Sequence, residues 1–345
     1  MTGEDDAYRA RIDAALDEFS AEKLDHLRAI HPDLAEFAQG AIDFVAGGKR
    51  LRPLFCRAGW LVGGGDPVDT HFDHAAASLE WLQGSALAHD DVMDGSDTRR
   101  GRPSLHREFA ARHRDRGALG DPDQHGAAVA ILLGDLMLTW TDEHFRRSNL
   151  PGVPAALPWL DRCKNEVTAG QYLDIRAQAS QAISVDDAML VVRYKSAKYT
   201  VERPLHLGAA LAGASGEVMT QLSDVAIPLG EAFQLRDDVL GVFGDPSTTG
   251  KPAGDDLREG KRTVLIARTL ELGDAGQRAA TTSLLGTADG VAELTSIIES
   301  CGALAAVEAD IADRERRTEE AIDQLPPPSR DFLRTLLSKA TRRSR

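Results

Sequence analysis

Nearly every long segment of this chain repeats its apolar residues at intervals of three and four, a rhythm that leaves little room for anything but helices. Stretches such as DAYRARIDAALDEF, HAAASLEWLQGSALAHDDVM and VAELTSIIESCGALAAVEADIADRERRTEEAIDQL carry it, and each places its apolar side chains on one helical face. Sustained strand alternation is hard to find. Breakers fall between the helical stretches: AGGKRLRP (46–53), VGGGDP (62–67), GSDTRRGRP (95–103), RGALGDPDQHG (116–126), NLPGVP (149–154), GDPSTTGKPAGDD (244–256) and LPPPS (325–329). They imply roughly ten to thirteen helices joined by short loops. AAVAILLGDLML is apolar nearly all round, as suits a helix buried within a large bundle. No composition shift marks a boundary, so the expectation is one all-α helical bundle over residues 1–345, with residues 1–30 as a looser peripheral helix.

Charge and cysteine usage narrow the function. The 345 residues carry 40 Lys plus Arg against 54 Asp plus Glu, a net charge of −14, which argues against nucleic acid or an anionic membrane as the main partner. Cys56, Cys163 and Cys301 are odd in number and lack ligand spacing, so neither a disulfide framework nor a zinc site is indicated. The start, MTGEDDAYRARIDAALDEF, is acidic and amphipathic, unlike a targeting peptide. The longest apolar run, GAAVAILLGDLMLTW, is interrupted by Asp135 and falls short of a bilayer span. These features predict a soluble cytoplasmic protein, not an integral membrane one.

Five Asp-Asp pairs occur, and only their positions discriminate among them. Asp5/Asp6 and Asp186/Asp187 stand at predicted helix starts, where carboxylates complement the dipole. Asp90/Asp91 and Asp237/Asp238 lie well along apolar helices, where an acidic pair opposes the dipole and needs a partner. Asp94 falls one turn after Asp90, adding a like charge on the same face. Two helix-borne acidic clusters facing each other across a bundle could hold a hard cation such as Mg²⁺, which needs only one or two carboxylates when substrate phosphates complete its shell. Salt bridges to Arg99, Arg100 or Arg236 are the alternative.

The cations cluster too: Lys49, Arg50 and Arg52; Arg99, Arg100 and Arg102; Lys195 and Lys198; Lys251; and Lys261 with Arg262. Singly each reads as a solvated surface charge. Beside glycine and proline in loops, and together with the acids, they look like seats for anionic ligands bridged by metal. GDPSTTGKP only imitates a phosphate-binding P-loop: five residues separate its glycines, Pro252 replaces the Ser/Thr, and it follows a helix.

GGKRLRP, HDDVMDGSDTRRGRP, YKSAKYT and FQLRDDVLGVFGDPSTTGKPAGDDLREGKRT together resemble the landmarks of the trans-isoprenyl diphosphate synthase family, in family order from residue 47 to 263. The resemblance implies an isoprenoid-synthase helical bundle around a central active-site cavity, usually a homodimer, that joins isopentenyl diphosphate to an allylic diphosphate (dimethylallyl, geranyl or farnesyl) with Mg²⁺, three ions per active site in the substrate complex. Carried onto this chain, it implies that Asp90, Asp94 and Asp237 ligate Mg²⁺, with Asp91 and Asp238 in support. Arg99, Lys195, Lys251 and Lys261 resemble the grip on the allylic diphosphate, and Lys49, Arg52 and Arg100 the isopentenyl diphosphate site. Ser196, Phe233 and Gln234 also match family positions at the substrate site, and Gln171 with Asp174 match the family's GQxxD.

Two positions depart from the family pattern. Gln83 stands where many members have a histidine at the isopentenyl site; its amide can still donate to a phosphate oxygen. Gly241 occupies the third acidic position of the second motif, so that motif should work through Asp237, with Asp245 unsuited to substitute.

In the family the product grows back along the helix that carries the first motif. Ser85 and Ala86 are small, where fifteen-carbon synthases usually carry an aromatic, so longer products are expected. Trp81, nine residues before Asp90 and about 13.5 Å along the axis, shares the face of Ser85 and could close the pocket at twenty carbons, giving geranylgeranyl diphosphate. Trp81 could instead pack between helices or in a dimer core, leaving Leu82 as the next candidate floor. Farnesyl or longer-chain synthesis remains the alternative within the class. A class I terpene cyclase would not need GGKRLRP or the Arg99/Arg100 pair, and a non-catalytic partner subunit should have eroded acids or lysines.

Overall fold

The computed structural model describes residues 3–180, 182–244 and 253–341. Lys251 and Asp245 lie outside them. Contacts gather the chain into two compact units, Met1–Arg57 with Asp66–Pro154, and Ala58–Gly65 with Ala155–Arg345.

The first unit is built on α1 (Gly3–Ile30), α2 (Leu34–Val45), the start of α3 (Leu51–Val62), α4 (Thr70–Asp94), α5 (Leu105–Asp115) and α6 (Pro122–Arg147). Its α4 starts at the Asp69 cap, whose carboxylate accepts from the His71 and Phe72 amides, and stops at Gly95 in the left-handed region (φ 66°). Glycine lets α4 and α6 approach closely: an added Cβ would stand 2.6 Å from Met137 Sδ at Gly84 and 2.2 Å from His89 Nε2 at Gly134. The expectation of a loose peripheral α1 is corrected. Tyr8, Ile12, Ala15, Leu16 and Phe19 form a stripe that is buried in the core of this unit, because their helical spacing presents one continuous apolar face.

The second unit holds α7 (Val153–Gln178), α8 (Val185–Val191), a π-helical segment (Val192–Glu202), α9 (Arg203–Leu211) and α10 (Gly216–Phe243), then α11 (Asp255–Arg258), α12 (Val264–Leu272), α13 (Ala275–Leu284), α14 (Val291–Ser300), α15 (Ala303–Ile322) and α16 (Pro327–Thr341). Leu235 and Val239 of α10 pack with Leu265 of α12 and Val307 and Ile311 of α15 in its core. The long periodic stretch from Val291 onward breaks at Gly302, which adopts φ 85° and separates α14 from α15. Such glycine breaks raise the helix number above that expected from periodicity alone. Among the described residues the strands are a single miniature hairpin, β1 (Thr98–Arg99) paired antiparallel with β2 (Arg102–Pro103).

Candidate active site

In the first unit, α4 ends in Asp90, Asp91 and Asp94 with no basic residue in its last turn, a placement the helix dipole disfavours. The hairpin that follows supplies the compensation. Arg100 (φ 53°) and Gly101 (φ 74°) are both left-handed at its two-residue turn, the combination that matches the strands' twist. Folding back this way delivers Arg99 to the acids. Its Nε donates to Asp91 Oδ1 at 2.8 Å, its Nη2 also donates to that oxygen, and Nη2 lies 3.8 Å from Asp90 Oδ2. Asp91 is fully buried, and burial pushes its carboxyl above the usual carboxylate range against the pull of Arg99. For Asp91, then, the salt-bridge alternative describes the structure, while Asp90 and Asp94 are half-buried.

The other arginine of the hairpin turns toward the glycine loop. A Cβ on Gly48 would lie 3.4 Å from Arg100 Nη1, so this guanidinium rests against the loop between α2 and α3, which carries Lys49 and leads into Arg52 at the start of α3. Desolvation works against the charge of Arg100, and the Glu80 carboxylate offsets part of that effect. Arg50, between Lys49 and Arg52 in sequence, is turned inward and 4% exposed. Gln83 is half-buried on α4.

In the second unit, α10 carries Asp237 and Asp238. Asp238 is buried, and desolvation followed by repulsion from Asp256 raises its carboxyl well above the usual range. Gln234 Nε2 donates to Asp238 Oδ1 at 2.7 Å, so this glutamine, carried over as a substrate-site residue, braces an acid. Arg236 does not neutralise the pair: both its Nη groups donate to Glu308 at 2.8 Å. Gly241 has a specific neighbour, since an added Cβ would stand 2.0 Å from Asp256 Oδ2. Asp256 of α11 thus fills with a carboxylate the space beside α10 where the motif lacks its third acid. Lys261 lies 3.4 Å from Asp256 Oδ1 and 2.6 Å from Glu259 Oε2.

Lys195 and Ser196 sit on the π-helical segment, a widening that concentrates at functional sites. Two glycines let it in. A Cβ on Gly170 of α7 would meet Lys195 N at 2.4 Å, and one on Gly230 of α10 would meet Ala197 Cα at 2.5 Å. In that clasp Lys195 Nζ donates to Asp174 Oδ2 at 2.6 Å, which gives the GQxxD aspartate its role. Phe233 and Ser196 are half-buried.

On the chain-length face, Ser85 and Leu82 are buried and Ala86 is half-buried. Trp81 is 1% exposed, donates from Nε1 to His144 Nδ1 at 3.1 Å, and packs edge-on against Trp140 at 5.0 Å and tilted against Phe19 at 5.9 Å. The ring therefore sits in an aromatic cluster among α1, α4 and α6.

The donor set fits Mg²⁺. Each motif presents adjacent carboxylates of like charge, one of which, Asp91 or Asp238, is raised by burial and by its acidic neighbour, and a hard divalent ion favours the ionised form of such a pair. Among the described residues no three His, Cys, Asp or Glu side chains are grouped to hold a metal by themselves, so water or phosphate oxygens would complete its shell. Sequence reasoning missed Glu80, Asp256 and the inward turn of Arg50. Only the positive φ of Arg50 (52°), invisible in the sequence, would have signalled the last.

A sequence model of the polyprenyl synthetase family matches residues 35–301. The geranylfarnesyl diphosphate synthase of Aeropyrum pernix is 32% identical over 298 residues, 85% of this chain and 89% of that protein. The geranylgeranyl diphosphate synthase of Sulfolobus acidocaldarius is 32% identical over 234 residues, 66% of this chain and 65% of its own. The crystal structure of geranylgeranyl pyrophosphate synthase from Corynebacterium glutamicum, complexed with isoprenyl diphosphate and magnesium, superposes with a TM-score of 0.92 at 38% identity, covering 99% of each chain.

Proposed function

This chain belongs to the polyprenyl synthetase family and is a trans-prenyltransferase, and from that premise we propose that it joins isopentenyl diphosphate to an allylic diphosphate with Mg²⁺, chiefly to make geranylgeranyl diphosphate. The observation that carries the reading is the hairpin after α4, which hands Arg99 to an acidic helix end and Arg100 to a glycine loop flanked by Lys49 and Arg52. Adjacent residues thereby serve two different anions: a diphosphate bridged to carboxylates through metal, and a diphosphate gripped by cations directly. Both units are read as parts of one prenyltransferase domain, a view supported by the family match running through both.

When bound, Mg²⁺ supplies Lewis-acid charge at the departing diphosphate. Asp90, Asp94 and Asp237 would hold it, three ions per site in the substrate complex, with Asp91 and Asp238 setting the surrounding charge. Arg99, Lys195 and Lys261, together with Lys251, donate to the allylic diphosphate as its negative charge grows. Lys49, Arg52, Arg100 and Gln83 hold the isopentenyl diphosphate, whose own C–O bond stays intact. The allylic C–O bond breaks with its electron pair leaving on diphosphate, and the isopentenyl double bond supplies the pair for the new C–C bond. Loss of a proton to the departed diphosphate restores an alkene. No side-chain nucleophile is required, and the chain's part is to position both diphosphates and exclude water.

Small Ser85 and Ala86 leave room beyond fifteen carbons, and Trp81, held by His144, Trp140 and Phe19, supplies a floor that cannot swing aside. A homodimer is supported by apolar residues left exposed on α6 (Ile131, Leu132, Leu138) and on α7 (Tyr172, Ile175). No helix of the described residues is long and apolar enough to cross a membrane. The test is to incubate purified protein with Mg²⁺, isopentenyl diphosphate and each allylic primer, and to measure product length. Twenty-carbon product is expected, with Asp90→Ala and Asp237→Ala each losing roughly a hundredfold or more in turnover while retaining helical circular dichroism. Near-normal turnover in both variants would sink the assignment, and a cyclic hydrocarbon formed without isopentenyl diphosphate would transfer it to the cyclases.

A further inference from the structure

Arg50 occupies an unusual position, since it follows two glycines in the left-handed region (Gly47 φ 72°, Gly48 φ 97°) and is itself left-handed at φ 52°. A non-glycine residue holds that backbone only when its surroundings over-determine it. Here the side chain does so. Nη1 donates to the Val45 carbonyl at 2.9 Å, fastening the loop to the end of α2, and to Glu80 Oε2 at 2.7 Å. Nε donates to Asp13 Oδ1 at 2.9 Å, and Nη2 lies 2.7 Å from the same oxygen. The Arg50 and Glu80 side chains are only 3% and 6% exposed, so this is an internal brace joining α1, α2 and α4.

We infer that Arg50, clamped by Glu80 and Asp13, is a positioning residue for isopentenyl diphosphate: it sets Lys49 of the loop and Arg52 at the start of α3 against Arg100 before substrate arrives. The inference rests on reading Lys49, Arg52 and Arg100 as the seat of that diphosphate. Glu80 has a double part, since it pairs with Arg50 and is also the chief carboxylate offsetting desolvation at Arg100. One buried acid thereby ties the backbone turn to the charge of the seat. Asp13 lies before residue 35, where the family match begins, so a helix with no motif of its own supplies one jaw of the clamp. Arg50 thus reaches all three helices from one loop position.

The test measures KM for each substrate, kcat, and calorimetric binding of isopentenyl diphosphate in four variants. Arg50→Lys keeps the charge but lacks the planar fork that engages two carboxylates and a carbonyl together; its KM for isopentenyl diphosphate should rise roughly ten- to hundredfold. Asp13→Ala removes the half-exposed jaw and should produce a smaller rise in the same KM, reversed in Asp13→Glu. In each, kcat and the allylic KM should stay within about twofold, a split that mere loss of packing would not give. Lys49→Ala tests the underlying reading, because an unmoved isopentenyl KM there would remove the seat itself. If Lys49→Ala raises that KM while a folded Arg50→Lys leaves it unchanged, the positioning role fails and the seat stands. Parallel loss of kcat, both KM values and thermal stability would reduce the clamp to a structural ion pair.

Discussion

Replacing Gly170 by alanine sets two magnitudes against each other. In a helix interior the change is worth about 0.8–1.0 kcal/mol in favour of alanine. Against it, the new Cβ would stand 2.4 Å from Lys195 N and 2.7 Å from the Tyr194 carbonyl carbon, backbone atoms that cannot rotate away. Restoring an ordinary contact of about 3.5 Å moves the two backbones apart by roughly 1 Å, and overpacking of this kind costs about 1–3 kcal/mol. The net effect runs from about zero to about 2 kcal/mol of destabilisation. The kinetic effect should be larger, because the displaced backbone carries Lys195, and a shift of about 1 Å in a positioning group can lower turnover a hundredfold. Urea denaturation at constant m reads the first quantity, and steady-state kinetics on the allylic diphosphate read the second. Gly216→Ala is the control, since its Cβ meets nothing within 4 Å, and it should be neutral or slightly stabilising with normal kinetics. If Gly170→Ala matched that control in both measurements, the clasp on the π segment would have slack and Lys195 would be placed by something else.

Acid should destabilise the fold through its buried histidines. Burial depresses His144 to about 3 and His206 to about 4, so the unfolded chain takes up their protons first; their stabilising contribution is whole above about pH 6.5 and lost as the pH falls toward those values. Between pH 6.5 and 4.5 the loss is roughly 2–3 kcal/mol per histidine, and His144→Gln should flatten the slope of unfolding free energy against pH; an unchanged slope would mean that His144 titrates normally. Ser85→Phe should shorten the main product toward fifteen carbons, and Trp81→Ala should lengthen it, both read by chromatography of the dephosphorylated products; an unchanged profile in Trp81→Ala would leave the indole a purely packing role. Asp256→Ala should raise several-fold the Mg²⁺ concentration for half-maximal turnover, with the melting temperature of the metal-free protein changed little, and an unaltered Mg²⁺ dependence would show that the carboxylate beside Gly241 is incidental.

The helical class, the acidic motifs and the cationic loops were legible in the sequence because each is a local property. Periodicity needs only neighbouring residues, and Asp90 and Asp94 share a helix face whatever surrounds them. What separates Asp91 from Asp90 is not local. Consecutive residues point about 100° apart around a helix, and which of them is buried depends on the hairpin that returns Arg99 to Asp91. The same holds for Arg50, whose partner Asp13 lies 37 residues away, and for Trp81, whose partner His144 lies 63 away. Asp256 fills the gap left by Gly241 through a fold-back that no spacing rule announces. The sequence by itself therefore determined the helices and the chemical kinds of group at their ends. Tertiary structure alone decided which acids are buried, which cations are braces, and which backbone widens to present Lys195, because those outcomes rest on contacts between residues that the chain keeps far apart.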